Sequence, residues 1–301
     1  MKKAVVTGAG GFIGRALVHR LVELGYQVYA VIFSENDKER FPNDGTIVPV
    51  IGDLLAYEKI EEQIQSPVDY VYHLAWKGIS SADYKDIDVQ KDNFFISINT
   101  CKLALALESK KFIFAGSNQE YLLDINTIDE KEACSSIYGI CKFSCRKICS
   151  VLAKNKMQFN ATAFTNVFGV GDKSRRTANF FISKLLKDED LDLVEGNHLY
   201  DWIYIDDAVN GLIAVGEKGV NNQQYYIGNR HLRTFKEIIE NVKDILSSQS
   251  NLNFGKYQDT SYTDYSRFDL NALHRDTGFE CKSNFEESIL TTAEWVKTLN
   301  F

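Results

Sequence analysis

Proline is scarce in this sequence, with three in 301 residues. Such a chain holds no proline-rich linker, and neither repeats nor low-complexity tracts break it up. Long apolar runs are missing too: no stretch reaches the roughly 18 residues that a membrane span needs. The opening MKKAVVTGAGG has neither the extended apolar region nor the small-residue cleavage site of a signal peptide, and it runs straight into a strand. Positive charge is in deficit, 34 Lys and Arg against 41 Asp and Glu, and a net charge of −7 gives nucleic acid no electrostatic footprint. The six cysteines (Cys101, Cys134, Cys141, Cys145, Cys149, Cys281) form no zinc-type CxxC pair, and the five histidines have no metal-like spacing. Reduced, packed thiols in a cytoplasmic protein are therefore expected, with no metal, membrane or nucleic-acid partner. What is present is ordinary for a globular chain: 45% hydrophobic and 25% charged residues, enough for a sizeable core.

The first two-thirds alternate short β-rich runs with longer helical patterns. Strands are expected at 4–8, 27–33, 46–53, 69–75, 111–117 and 161–169, and helices near 12–24, 55–65, 88–109 and 137–155. Near-continuous apolar strands separated by helices imply an α/β fold, a doubly wound parallel sheet of Rossmann type covered on both faces. After residue 170 the rhythm loosens. The natural division is a dinucleotide-binding domain over 1–169, rejoined by 205–228, and a smaller substrate-binding lobe from 170–204 and 229–301.

TGAGGFIG (7–14) joins the first strand to the first helix. Gly8 permits a tight turn, Gly11 lets backbone approach a pyrophosphate, and Gly14 lets the helix pack close to the sheet while its N-terminus faces the anion. A glycine triplet alone is a weak signal; the strand–loop–helix context strengthens it. The second strand ends Val31, Ile32, Phe33, Ser34, with no acid before Glu35 to hold a ribose. Lys38 and Arg40 follow, so the choice tilts toward a 2′-phosphate and NADP over NAD, unless both are solvated loop charges. Asp53 suits an adenine contact, a helix N-cap, or both.

YGICK sets Tyr138 and Lys142 four residues apart at a helix start, hence on one face. By chance a chain with 15 tyrosines contains about one such pair; this one gains weight from lying about twenty residues after GSNQEY (116–121), at the end of an apolar strand. Together with GDL (52–54), YHLAW (72–76), FTNVFG (164–169), WIYIDDA (202–208) and TGFECKSNFEESI, these motifs make nearly the whole chain resemble the extended short-chain dehydrogenase/reductases, the NAD(P)-dependent nucleotide-sugar epimerases, dehydratases and reductases.

The resemblance implies Tyr138 as acid/base, Lys142 as the neighbouring cation that favours the phenolate, and Ser117 as hydrogen-bond partner to the same substrate oxygen. It implies cofactor contacts from Gly8, Gly11, Phe12, Ile13, Gly14, Ser34, Arg40, Asp53, Leu54, Leu74, Ala75, Tyr138, Lys142 and Val167. Substrate contacts are expected from Trp76, Ser117, Asn118, Gln119 and Asn166. In relatives that eliminate water the serine position is followed by Asp and Glu; Asn118 and Gln119 keep the shape but cannot exchange a proton at useful pH. Ser117, Tyr138 and Lys142 suffice to reduce a 4-keto group of a nucleotide-linked 6-deoxy sugar, or to epimerise carbon 4. A dinucleotide-sensing protein without catalysis is the reading from another class. The family's phosphate-binding arginine is replaced by Tyr200, so Arg175, Arg176 and Arg267 become candidates. Glu120, apolar in most of the family, reads as a paired surface acid, Asp206–Asp207 as a helix cap, and His73 as a strand residue near the cofactor. The helices 88–109 and 137–155 imply a homodimer through a four-helix bundle, with the Cys141/Cys145/Cys149 face either there or on the sheet.

Overall fold

The computed structural model describes residues 1–41, 45–78, 82–122, 136–258 and 263–299; Cys134 lies outside them. Its strands are β1 (Lys3–Thr7), β2 (Gln27–Ile32), β3 (Ile47–Ile51), β4 (Tyr70–His73), β5 (Lys111–Ser117), β6 (Gln158–Phe164), β7 (Asn166–Phe168), β8 (Leu191–Val194), β9 (Leu199–Tyr200), β10 (Trp202–Tyr204), β11 (Gln224–Ile227), β12 (Arg233–Thr234) and β13 (Leu252–Tyr257). Its helices are α1 (Phe12–Glu23), α2 (Glu58–Glu61), α3 (Ile87–Ala106), α4 (Ile137–Ala153), α5 (Thr177–Leu185), α6 (Ile205–Lys218), α7 (Phe235–Leu246), α8 (Ala272–Thr277) and α9 (Phe285–Lys297).

Seven strands form one parallel sheet in the order β11–β6–β5–β4–β1–β2–β3. This is the doubly wound sheet that the alternating pattern predicts. The order reverses direction between β1 and β4, where the carboxyl ends of neighbouring strands open a crevice. One face packs against α1 and α6 through Leu17, Val18, Leu21, Val209 and Leu212. The other packs against α3 and α4 through Leu103, Ala104, Cys145 and Cys149. The cysteine stripe therefore covers the sheet: Cys141 Sγ lies 3.2 Å from the Gln90 carbonyl oxygen and Cys149 Sγ 3.6 Å from that of Ser97, both on α3. A separate core gathers Ile182, Leu193, Trp202, Ile238 and Ile289 from α5, β8, β10, α7 and α9.

Three expected elements differ. Residues 161–169 are two strands, because the chain leaves the large sheet at Thr165; β7 pairs with β10, and the Thr165 hydroxyl donates to the Asp201 carbonyl at 3.2 Å. Instead of a helix over 55–65 there is a short 3-10 turn, Leu54–Ala56, and the single turn of α2. The long helix α3 stops at Ala106, short of 109, as Glu108 adopts a left-handed backbone at φ 48°. Asp86 starts that helix by accepting from the amides of Asp88 (2.9 Å) and Val89 (3.1 Å).

Candidate active site

The crevice is a cleft of about 550 Å³ running from the glycine loop to the start of α5. At one end Gly8 has φ +70°, and a Cβ there would lie 2.8 Å from the Ala75 amide nitrogen. At Gly14 a Cβ would collide with the Gly8 carbonyl oxygen, so α1 can press onto the turn only with glycine at that position. Gly11 caps α1 with no side chain bonded to the first turn, leaving its amides to face the cleft. Phe12, Ile13, Leu74 and Val167 line the same end. This cradle fits a dinucleotide pyrophosphate in shape and polarity.

At the other end β5 delivers Ser117 and α4 delivers Tyr138 and Lys142. Ser136 caps α4, accepting from the Gly139 amide at 3.2 Å, and donates to Gln119 Oε1 at 3.1 Å, which ties the helix start to the GSNQEY turn. The Ser117 hydroxyl donates to Asn118 Oδ1 at 3.3 Å and accepts from the Gln119 amide at 3.2 Å, and it lies on the Tyr138 side of the cleft, where it favours the ionised phenol. Tyr138 stacks on Tyr84 with ring centroids 4.4 Å apart, and Trp76 meets it edge-on at 5.4 Å. Burial is the largest influence on the phenol and pushes its pKa well up, while the nearby Ser117 hydroxyl opposes it. The phenol is thus held in its protonated form. Lys142 is 5% exposed, donates to the Ala115 carbonyl at 2.8 Å and lies 3.7 Å above the Trp76 ring. Desolvation brings it down to about 8. The Lys142 ammonium is 5.9 Å from the Tyr138 ring centroid.

The remaining expected residues divide. Trp76, Asn118, Gln119, Asn166 and Arg176 line the cleft with the central three. Asn118 Nδ2 donates to Thr263 Oγ1 at 2.9 Å, and Asn166 Nδ2 to the Asp201 carbonyl at 3.2 Å. Arg176 lies 5.4 Å from the Tyr84 ring. Arg175 and Arg267 are exposed and outside the cleft lining, and Arg267 donates to the Tyr121 carbonyl at 2.7 Å. Asp53 accepts from the Leu55 amide at 2.9 Å, the capping role, and Leu54 is buried under α3. Ala75 sits over Gly8.

Both bases after β2 have partners in the loop. Lys38 pairs with Glu35 at 2.9 Å; Arg40 pairs with Asp37 at 2.9 Å and donates to the Gly10 carbonyl at 2.8 Å. Asp37 itself packs against Gly10, and Ser34 donates to it at 3.4 Å. Sequence reading missed this carboxylate, since it stands past the position where a ribose-binding acid is sought, and it missed Tyr84, which no motif marks.

Glu120 is a correction. It is 2% exposed, not a surface acid: one oxygen accepts from the Ser117 amide at 2.8 Å and the other pairs with Arg146 Nε at 2.5 Å. Asp206–Asp207 is a second correction: both stand in the first turn of α6, whose N-cap is Tyr204 with no side-chain bond, and Asp207 instead accepts the amides of Lys282 (2.9 Å) and Ser283 (3.0 Å). Asp201 is buried, bonded to the Tyr226 hydroxyl and to Asn229 through its amide (2.9 Å) and side chain (2.6 Å). His73 is fully buried, 2.9 Å from Thr7 Oγ1 and 3.0 Å from Ser97 Oγ, and burial takes its pKa down to about 3. Among the described residues no group of His, Cys, Asp and Glu is arranged to hold a metal ion, and no helix is long and apolar enough to cross a membrane.

A parallel doubly wound sheet with a dinucleotide cradle and a Ser–Tyr–Lys set at its switch point defines a Rossmann-type nucleotide-dependent protein. Residues 4–228 match the NAD dependent epimerase/dehydratase family, and the chain belongs to it, among the extended short-chain dehydrogenase/reductases. It is 24% identical to a UDP-N-acetyl-alpha-D-glucosaminuronate decarboxylase of Bacillus cytotoxicus, over 99% of this chain and 98% of that one. It is 27% identical to a dTDP-6-deoxy-L-talose 4-dehydrogenase (NAD(+)) of Aggregatibacter actinomycetemcomitans, over 72% of this chain and 82% of the other. Among solved structures, the UDP-glucuronic acid 4-epimerase of Bacillus cereus in complex with UDP-glucuronic acid and NAD shares the fold, with a TM-score of 0.77, 21% identity, and coverage of 98% of this chain and 99% of that one.

Proposed function

We propose that this enzyme reduces a nucleotide-linked 4-keto-6-deoxy sugar, with NADH as hydride donor. The observation that carries the reading is the convergence of Ser117, Tyr138 and Lys142 beside the glycine cradle with amides, not acids, at 118 and 119. When bound, the reduced dinucleotide supplies a hydride to the keto carbon and leaves as its oxidised form. Tyr138 gives its proton to the oxygen of that carbon, which makes an alcohol, and burial keeps the phenol charged with that proton beforehand. Ser117 holds the same oxygen in place. Lys142 orients the reacting set and offsets the charge left on Tyr138. Asn118 and Gln119 hydrogen-bond without exchanging protons, which disfavours elimination. The relative named as a 6-deoxy-L-talose 4-dehydrogenase acts, by its name, at carbon 4 of such a sugar with NAD(+), the reverse of this reaction.

NADH replaces the NADP preference drawn from the sequence because Lys38 and Arg40 are both engaged, and Asp37 brings a carboxylate to the loop that would receive a ribose. Gly8, Gly11, Gly14, Phe12, Ile13, Leu74 and Val167 would hold the cofactor, and Trp76, Asn166 and Arg176 the sugar nucleotide. The lobe over 170–204 and 229–301 would close on the substrate. A cytoplasmic homodimer through α3 and α4 accords with the exposed Phe95, Ile140, Ile148 and Val151 on those helices.

The second reading, a nucleotide-sugar 4-epimerase, uses the same three residues and draws support from the shared fold of the Bacillus cereus 4-epimerase. Cofactor handling separates them: an epimerase retains NAD through purification, whereas a reductase consumes reduced cofactor at each turnover. A screen of nucleotide-linked 4-keto sugars, following nicotinamide absorbance with NADH and NADPH in parallel, tests the proposal. Stoichiometric NAD in the purified protein, with no consumption of either cofactor by any 4-keto sugar, would transfer the assignment to the epimerase.

A further inference from the structure

Glu120 has no task in the chemistry above, yet it is the most deeply placed charge of the GSNQEY turn. Its side chain is fully buried, and that of Arg146 is 13% exposed. Carrying an ion pair into the interior is costly and leaves a stranded charge if either partner is lost. The sequence makes room for it deliberately. A Cβ at Gly116 would collide with Glu120 Oε1, and the Ser117 amide, at the last residue of β5, is bonded to that same oxygen.

Arg146 comes from the same helix as Tyr138 and Lys142. The three stand at i, i+4 and i+8, which is one stripe of α4. The stripe thus presents a phenol, an ammonium and a guanidinium in order along the end of β5, and the guanidinium is bonded to the carboxylate that holds Ser117. The end of β5 and the helix α4 are thereby pinned together beside the cleft that Ser117, Tyr138 and Lys142 share.

We propose that Glu120, locked against Arg146, is a positioning residue that fixes Ser117 in register with Tyr138 and sets a buried negative charge behind Lys142. The proposal rests on Ser117, Tyr138 and Lys142 being the reacting set. The groups acting on Lys142 are known: burial lowers it, while Glu120, Cys145 and Cys141 raise it. The faces of Trp76, Phe114 and Tyr138 surround it, and His73 beside it stays neutral. Burial raises the pKa of the Glu120 carboxyl, and Arg146, the Ser117 amide and Lys142 work against it in favour of the charged form. Glu120 is the carboxylate among the groups that sustain the Lys142 ammonium, so neutralising it should let Lys142 lose its proton at lower pH.

The test reads Lys142 directly. Competitive acylation with acetic anhydride, followed by peptide mass, gives the pH at which Lys142 becomes nucleophilic. Glu120→Gln keeps an acceptor for the Ser117 amide but removes the charge. Its midpoint is expected to fall by about half a unit or more, so that labelling at pH 7 rises about threefold. With the sugar nucleotide found by the screen, the alkaline limb of the kcat/KM profile should move down by the same amount, while NADH affinity stays within about twofold. Glu120→Leu/Arg146→Leu removes both charges and strands neither, so it carries the test if the single variant does not fold. It should melt cooperatively, shift the midpoint in the same direction but by less, because the opposing Arg146 charge goes with it, and release protection of the 112–122 peptide from hydrogen exchange. A packing role alone would leave the Lys142 midpoint unmoved in both variants, and that result overturns the proposal. Normal turnover by Tyr138→Phe would instead bring down the reading beneath it, with the midpoint shift left standing.

Discussion

At the end of β1 the chain turns on backbone alone. Gly8 takes a left-handed conformation, the Gly11 amide donates to the Gly8 carbonyl at 3.0 Å, and α1 closes over atoms that carry no side chain. At the end of β5 the chain turns on side chains. Ser117 is held by Glu120, Glu120 by Arg146, and Gln119 by Ser136. The two turns face one cleft, and their dependence on distant partners is opposite. The glycine turn takes its shape within its own eight residues and is braced from outside by Arg40 on the Gly10 carbonyl. The serine turn needs an arginine 26 positions away in the next helix. A backbone device survives in isolation and is legible locally, whereas a buried polar device exists only once the helix that completes it has docked.

The largest effect is expected at the serine turn. Tyr138→Phe removes the proton donor and should lower turnover by about 10²- to 10⁴-fold. The ring still stacks on Tyr84, so NADH binding measured by fluorescence should not change. Equal losses in binding and turnover would mean that the phenol serves the cradle as well, and the contrast between the two turns would dissolve.

Next comes the glycine turn itself. Gly14→Ala drives a methyl into the Gly8 carbonyl oxygen, and NADH affinity should fall about tenfold or more, equivalent to about 1.4 kcal/mol. Gly25→Ala is the control. That glycine has φ +80° but meets nothing within 4 Å, so backbone strain alone should cost about 1–2 kcal/mol of stability and leave affinity intact. Isothermal titration and thermal melts of both variants separate collision from strain.

This difference also explains what the sequence disclosed. The glycine spacing announced β1, its loop and α1 because all three constraints are local. Tyr138 and Lys142 were readable from a helical repeat, and Ser117 from its place at the end of an apolar strand. Glu120 was misread because a glutamate between polar neighbours looks solvated until Arg146 arrives through tertiary packing. Tyr84 reaches the cleft, and Asp37 the Gly10 backbone, by loop geometry that no periodicity encodes. The break at Thr165 was hidden because an apolar run does not reveal which of two sheets its second half joins.

His73 lies between the two turns, hydrogen-bonded toward Thr7 on one side and, on the other, stacked over Phe112 and tilted against Phe114 of β5. Its proton affinity is depressed by burial, from 6.5 to about 3. The unfolded chain therefore binds a proton that the folded one refuses as pH falls through this window. The stability due to the neutral ring is complete above 6.5 and is lost toward 3, at about 1.4 kcal/mol per pH unit. Urea midpoints between pH 4.5 and 6.5 should slope less for His73→Gln than for the parent chain. Parallel slopes would show that His73 is protonated in the folded protein.

The smallest effect sharpens the glycine side. Lys38 and Glu35 are both exposed and pair with each other across one turn, so Lys38→Ala should alter NADH and NADPH affinities by less than about twofold. Arg40 is different in kind, since it spans from Asp37 to the Gly10 carbonyl and so steadies a carboxylate against the cradle. Arg40→Ala should weaken NADH modestly by loosening Asp37 and should not selectively weaken NADPH. Fluorescence titration with both cofactors reads this ratio directly. If NADPH alone lost affinity in either variant, the bases would be phosphate ligands that exchange their present partners on binding. The glycine turn would then depend, like the serine turn, on side chains that the local motif does not contain.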